Sequence, residues 1–201
     1  MNYNRYKYIY PPYPEISVLS TKLGDFNNGV YLGQPKLNGT CMEIYTNGQI
    51  VLVMDQRKNA LDHKINITEL KQLHKGRGWM LICGEYMNKN KTDENNKIWN
   101  HKFVIFDILV YNGTHLINKT FNARCKLLEK LYPNNLSKPQ LHQISKNCFR
   151  VNSFKTNFLE VYNNINKYDI FDGLILKKVN SGLEDGDIQF NNMKNQLKCR
   201  K

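Results

Sequence analysis

Seven short apolar runs, separated by glycines and Asn-Gly turns, constrain this chain more than any other feature. They are Val30–Gln34, Cys41–Thr46, Gln49–Met54, Trp79–Tyr86, Phe103–Val110, Leu174–Lys178 and Gln196–Cys199. Each has the length of a strand, and turn residues bound most of them. Thr46-Asn47-Gly48-Gln49 predicts a hairpin, because Asn and Gly accept the backbone angles of a tight turn. Helical spacing is confined to three segments: Ile67–His74 behind an Asn66 cap, Asn122–Leu131 stopped before Pro133, and Ser153–Asn166. Strands dominate with helices interleaved, so the expected class is α+β. A hydrophobic content of 41% over 201 residues supports one sizeable core. Residues 30–201 read as one domain. Residues 1–29 read as a strap, with Tyr3, Tyr6, Tyr8, Tyr10 and Tyr13 packed on that domain.

The net charge of +12 and a pI near 9.4 point to a polyanionic partner, with nucleic acid first. The five cysteines are widely spaced, with no Cys-x-x-Cys pair. That pattern predicts free thiols in a reducing compartment, cytoplasmic or nuclear, and offers no zinc site. The sequence has no signal-peptide core and no apolar run of membrane-spanning length, so no membrane contact is expected. We expect a monomer.

Polar groups recur at the ends of the predicted strands. Lys36 is placed on the Asn38-Gly39 turn between the first two, where an amine can act as a nucleophile. Arg57 follows the third strand, and Glu85 follows Gly84. Phe106-Asp107 lies inside an apolar strand, where a carboxylate is otherwise unfavourable. Asp172 and Lys177 bracket another strand, and Lys198 and Arg200 alternate so that both face one side. Cations can hold triphosphate oxygens, and carboxylates can hold a divalent metal. Neither Gly-x-x-x-x-Gly-Lys-Ser/Thr nor Gly-x-Gly-x-x-Gly occurs, so a nucleotide site must be built differently.

In this order the groups resemble the covalent nucleotidyltransferase superfamily of ATP-dependent DNA ligases, RNA ligases and messenger-RNA capping guanylyltransferases. Lys36-Leu37-Asn38-Gly39 resembles its first motif, Lys-x-Asp-Gly, and Gly84-Glu85 its third. Phe103 to Leu109 resembles the strand that supplies base stacking. Asp172-Gly173-Leu174-Ile175-Leu176-Lys177 resembles the fourth motif, and Leu197-Lys198-Cys199-Arg200 the fifth. The resemblance covers about residues 30 to 200. Gln34-Pro35 ahead of the lysine is similar to the DNA ligase branch, as are Phe106-Asp107-Ile108-Leu109, Asn112-Gly113, Leu116 and Arg124.

The resemblance implies an ATP-grasp-like adenylation domain of antiparallel sheets flanked by helices around a nucleotide cleft. It implies a covalent lysyl-AMP at Lys36 and ATP with Mg²⁺ (or Mn²⁺) as cofactors. Gln34 would read the adenine amino group, and Phe106 would stack on the base. Arg57 would meet the ribose or the nick phosphate. Glu85 and Asp172 would serve ribose and metal, with Lys177, Lys198 and Arg200 also binding the nucleotide. The implied partner is nicked duplex DNA, or a duplex containing RNA. Asn38 stands where the family has Asp, Asp172 where ligases have Glu, and Arg200 where a second lysine is usual. The oligonucleotide-binding domain that normally follows is not in these 201 residues, and a separate protein is expected to supply its role. Three alternatives stay open: an RNA ligase with the same chemistry, a GTP-using capping enzyme, which Asp172-Gly173-Leu174-Ile175 favours, and a nucleic-acid-binding module without catalysis.

Overall fold

A computed structural model describes residues 16–93, 95–133, 140–183 and 195–201. The strap tyrosines Tyr3, Tyr6, Tyr8, Tyr10 and Tyr13 lie outside these residues. The strands are β1 (Ile16–Ser17), β2 (Tyr31–Leu37), β3 (Thr40–Thr46), β4 (Val51–Asp55), β5 (Met80–Met87) and β6 (Lys102–Tyr111). They continue as β7 (Thr114–His115), β8 (Leu141–Gln143), β9 (Cys148–Val151), β10 (Phe171–Lys178) and β11 (Gln196–Arg200). The α-helices are α1 (Ile67–Lys71), α2 (Phe121–Leu131) and α3 (Phe158–Ile165), and a 3-10 helix spans Ser20–Phe26.

The strands form two sheets. A four-stranded sheet has the order β1-β11-β10-β2, and a seven-stranded sheet runs β4-β3-β5-β6-β9-β8, with β7 on β6. The pairings are antiparallel except β1 with β11 and β6 with β9. The class is α+β, with both sheets mixed rather than purely antiparallel.

Local chemistry explains most element boundaries. Asn66 caps α1 by accepting from the Thr68 N–H, and Thr120 caps α2 by accepting from the Ala123 N–H. The predicted Asn47-Gly48 hairpin joins β3 to β4, with Thr46 opposite Val51. Asn112 and Gly113, both at positive φ, turn β6 into β7.

Two expectations are corrected. Lys36 does not sit on a turn: β2 runs on through Leu37, so the lysine is in a strand. Pro35 is accommodated because β2 is the edge strand of the small sheet. The helix expected from Ser153 begins only at Phe158, because Phe154 pairs with Gly33 on the open edge of β2 through two 2.8 Å hydrogen bonds.

The small sheet has two unlike faces. Leu174 and Leu176 are fully buried in a core shared with Phe158, Tyr162 and Ile165 of α3. Alternate residues on β10 point the other way. That face meets the large sheet, as the Gln34 Nε2 to Phe106 O hydrogen bond at 3.3 Å demonstrates. The large sheet's own core includes Ile44, Ile82, Ile108 and Leu128 of α2.

Helix α2 is tied to the large sheet by a buried ion pair. Arg124 Nε and Nη2 donate to Asp107 Oδ1 and Oδ2 at 2.9 and 3.0 Å, and both residues are 1% exposed. Asp107 also accepts from the Ile108 N–H at 2.8 Å. This is a structural role for the carboxylate that the sequence placed in an apolar strand. Removing one partner strands the other charge. Arg124→Met should lower unfolding stability by about 3–5 kcal/mol in urea titration, and the double replacement with Asp107→Leu should recover much of the loss. An equal loss in both variants would contradict the pairing.

Candidate active site

Strand register brings the predicted groups into rows. On the inner face of the small sheet, Lys36 lies opposite Gly173, which lies opposite Arg200. The next row is Gln34, Ile175 and Lys198, and the last is Leu32, Lys177 and Gln196. Directly opposed residues share a face, so Lys36, Lys177, Lys198 and Arg200 form one cationic wall. Lys178 points away, as period-two alternation requires.

Lys36 Nζ forms an ion pair with Asp172 Oδ2, with the two side chains 20% and 28% exposed. The same oxygen lies 3.6 Å from Arg200 Nε. Asp172 reaches inward because Gly173 has φ +122, at a register shift between β10 and β2. A Cβ at Gly173 would lie 1.9 Å from the Cys199 carbonyl oxygen, so only glycine fits.

The large sheet supplies the opposite wall. Gly39 N–H donates to Glu85 Oε1 at 2.9 Å. A Cβ on Gly39 would come within 2.4 Å of the Tyr86 carbonyl oxygen, so this close approach also needs glycine. The Asn38 N–H holds the turn by donating to Ile170 O at 3.1 Å. Burial pushes the Glu85 carboxyl up, the Gly39 N–H and the Lys36 ammonium pull it back, and Asp172 adds to the rise; it stands at about 7.

At the other end of the cleft, Lys177 Nζ lies 4.9 Å from the Phe106 ring centroid and 4.8 Å from that of Phe121. Burial lowers its pKa, against the pull of Asp107. Gln34 is 3% exposed, with its Nε2 bonded and its Oε1 buried without a hydrogen-bond donor.

Arg57 is not brought into this cluster. It stands exposed on the turn after β4, with its N–H donating to Asp55 Oδ1 at 2.7 Å. Lys58 turns inward instead. Its backbone is left-handed, with φ 67, and its Nζ pairs with Glu43 Oε2, both side chains almost wholly buried. Cys41 and Glu43 alternate along β3, and Cys41 lies opposite Glu85, so Lys58 approaches the cleft side of the large sheet. Sequence reasoning missed Lys58, because only the unusual φ decides which of two adjacent cations points in. It also missed Ile175, partly exposed between Gln34 and Lys198. The period-two alternation of β10 held that signal.

A family model of the ATP-dependent DNA ligase domain matches residues 23–198. The chain belongs to the ATP-dependent DNA ligase domain family. Solved structures agree on the fold of this ligase domain. A mycobacterial DNA ligase D complexed with ATP superposes with a TM-score of 0.65 at 12% identity, covering 100% of this chain and 62% of that one. The ligase domain of M. tuberculosis LigD gives 0.63 at 13% identity, covering 94% and 60%. Chlorella virus DNA ligase-adenylate gives 0.52 at 16% identity, covering 92% and 67%. The ligase domain therefore spans about three fifths of the mycobacterial chains it matches. No curated protein matches it in sequence.

Glu85 gives this ligase domain a pH signature. Its folded pKa of about 7 exceeds the ordinary value of 4.5, so the folded protein holds a proton that the unfolded chain has lost. Wild-type stability contributed by this group therefore falls as pH rises through that window. Gln has no proton to lose. The melting temperature of Glu85→Gln relative to wild type should rise by a few degrees between pH 5 and 8. A difference constant across that range would contradict the shift.

Proposed function

We propose that this domain is the adenylating core of an ATP-dependent DNA ligase, sealing 5′-phosphate/3′-hydroxyl nicks in duplex DNA through a covalent lysyl-AMP. The observation that carries this reading is Lys36, held by Asp172 on the same sheet face as Lys198 and Arg200. A primary amine fixed beside a cationic wall is poised to attack a phosphorus whose oxygens that wall holds.

In the first step Lys36 Nζ, its proton released to solvent, attacks the α-phosphorus of ATP. A P–N bond forms, the α–β bridging P–O bond breaks, and pyrophosphate leaves with that electron pair. Lys198 and Arg200 bind the α-phosphate oxygens on which charge accumulates. AMP then passes to the 5′-phosphate of the nick, which frees Lys36. Attack by the 3′-hydroxyl displaces AMP and closes the strand. The Chlorella virus relative is itself a ligase-adenylate, in keeping with this chemistry.

Mg²⁺ fits the donor set through Glu85 and Asp172. Among the described residues no cluster of three His, Cys, Asp or Glu could hold a metal alone. Magnesium is commonly bound by one or two carboxylates together with substrate phosphates. Such an ion supplies charge neutralisation at the attacked phosphate and the leaving pyrophosphate.

The base end favours adenine. Gln34 Oε1 is a buried acceptor without a donor, and adenine offers an exocyclic amine where guanine offers a carbonyl. Phe106 and Ile175 are the partly exposed apolar side chains that would pack on the two base faces. The GTP-using alternative drawn from Asp172 loses weight on this ground. An RNA ligase would use the same residues, and only the strand supplied to it separates the two.

The test is incubation with α-labelled ATP or GTP and Mg²⁺, followed by a denaturing gel. Wild type should take label from ATP, and Lys36→Ala should lose it by at least about 10³-fold, because nothing replaces the nucleophile. Label from GTP alone would sink the ligase reading. Nicked duplexes with DNA or RNA on either side of the nick would then fix the strand.

A further inference from the structure

We propose that Ser153 is a positioning residue: it fixes which way round the Gln34 carboxamide stands, and so sets the site's preference for adenine over guanine. The inference deepens the adenylation reading and rests on it. A carboxamide has a donating end and an accepting end of nearly equal shape. Which end faces a ligand is decided by the partners of the other.

Three separate elements hold the donating end here. Gln34 Nε2 lies 3.3 Å from the Phe106 carbonyl oxygen of β6. It lies 3.1 Å from Ser153 Oγ and 3.9 Å from Cys125 Sγ of α2. A backbone carbonyl can only accept, so the atom facing Phe106 must be the NH₂. Ser153 passes the order along, because its hydroxyl accepts from Gln34 and donates to Cys125 Sγ at 3.6 Å. Burial pushes the Cys125 thiol up to about 12, so it stays protonated and neutral. With the NH₂ taken, Oε1 is left as a buried acceptor without a donor, on the strand face that carries Lys36.

Backbone pairing places Ser153. The segment after β9 does not enter α3 directly but runs along the edge of β2, where Phe154 and Gly33 exchange two hydrogen bonds of 2.8 Å. Residues beside that bridge are Ser153 and Gln34. Stitching Phe154 to Gly33 therefore sets the serine against the carboxamide.

Without the serine hydroxyl only the Phe106 carbonyl still holds the NH₂ end, so the turned orientation costs less and gains population. Turned, it would present NH₂, which suits the O6 carbonyl of guanine and repels the adenine amine. Isothermal titration calorimetry of ATP and of GTP tests this with wild type, S153A and S153T, without magnesium so that no transfer contributes. Wild type should prefer ATP. S153A should narrow the ATP/GTP affinity ratio about tenfold, and S153T, which restores the hydroxyl, should keep it. Thermal unfolding checks that each variant is folded. If S153A unfolds early, S153C keeps the volume, bonds more weakly and gives the same comparison. An unchanged ratio in a folded S153A overturns the inference. Wild type binding ATP selectively but taking no label from it would sink the transfer chemistry and leave this inference standing. Wild type binding neither nucleotide would overturn both.

Discussion

Leu37 ends a strand of the small sheet, and Thr40 begins one of the large sheet. Only Asn38 and Gly39 separate them, so the chain must change sheets within two residues. The turn is held from both sides: Asn38 N–H bonds to Ile170 O beside β10, and Gly39 N–H bonds to Glu85 on β5. Lys36 stands just before this crossing. A side chain on Gly39 would collide with Tyr86, the crossing would open, and Glu85 would lose its donor. The positions of Lys36 and Glu85 thus both follow from one tight passage between sheets.

The inner wall is electrostatically unfavourable in isolation. Four cations share one face of three adjacent strands, none directly opposite another, and like charges gathered so repel. Asp172 offsets part of this by meeting both Lys36 and Arg200. Lys177 is managed differently, by burial over the rings of Phe106 and Phe121, and burial disfavours its charged form. Such a wall is poised for a polyanion, which would relieve the repulsion by binding. The stable pair Arg124–Asp107 lies behind it and keeps α2 on the large sheet.

Much of this was legible because strands of period two carry their meaning locally. Lys198 and Arg200 share a face by spacing alone, and the β3–β4 hairpin follows from Asn47-Gly48. The sheet pairings were not legible. That β2 and β3 belong to different sheets depends on contacts far along the chain. Strands β8 and β9 are short, with Leu141-His142-Gln143 offering one apolar residue, and they form by pairing with each other and with β6. The late start of α3 has the same origin, since the edge of β2 outcompetes a helical first turn at Phe154. Arg57 and Lys58 are adjacent cations, and the left-handed φ of Lys58 is a property of the turn that no pattern displayed.

On the proposed reading, placement selects Lys36 as the nucleophile. Lys177 is the competing candidate, because a desolvated amine gives up its proton more readily. Lys36 instead has a carboxylate in contact, Arg200 in its own row and Lys198 in the next. Tandem mass spectrometry of the protein after incubation with ATP and Mg²⁺ separates the two. One AMP per chain is expected, on the peptide bearing Lys36. An adduct on Lys177, or AMP spread over several lysines, would contradict it.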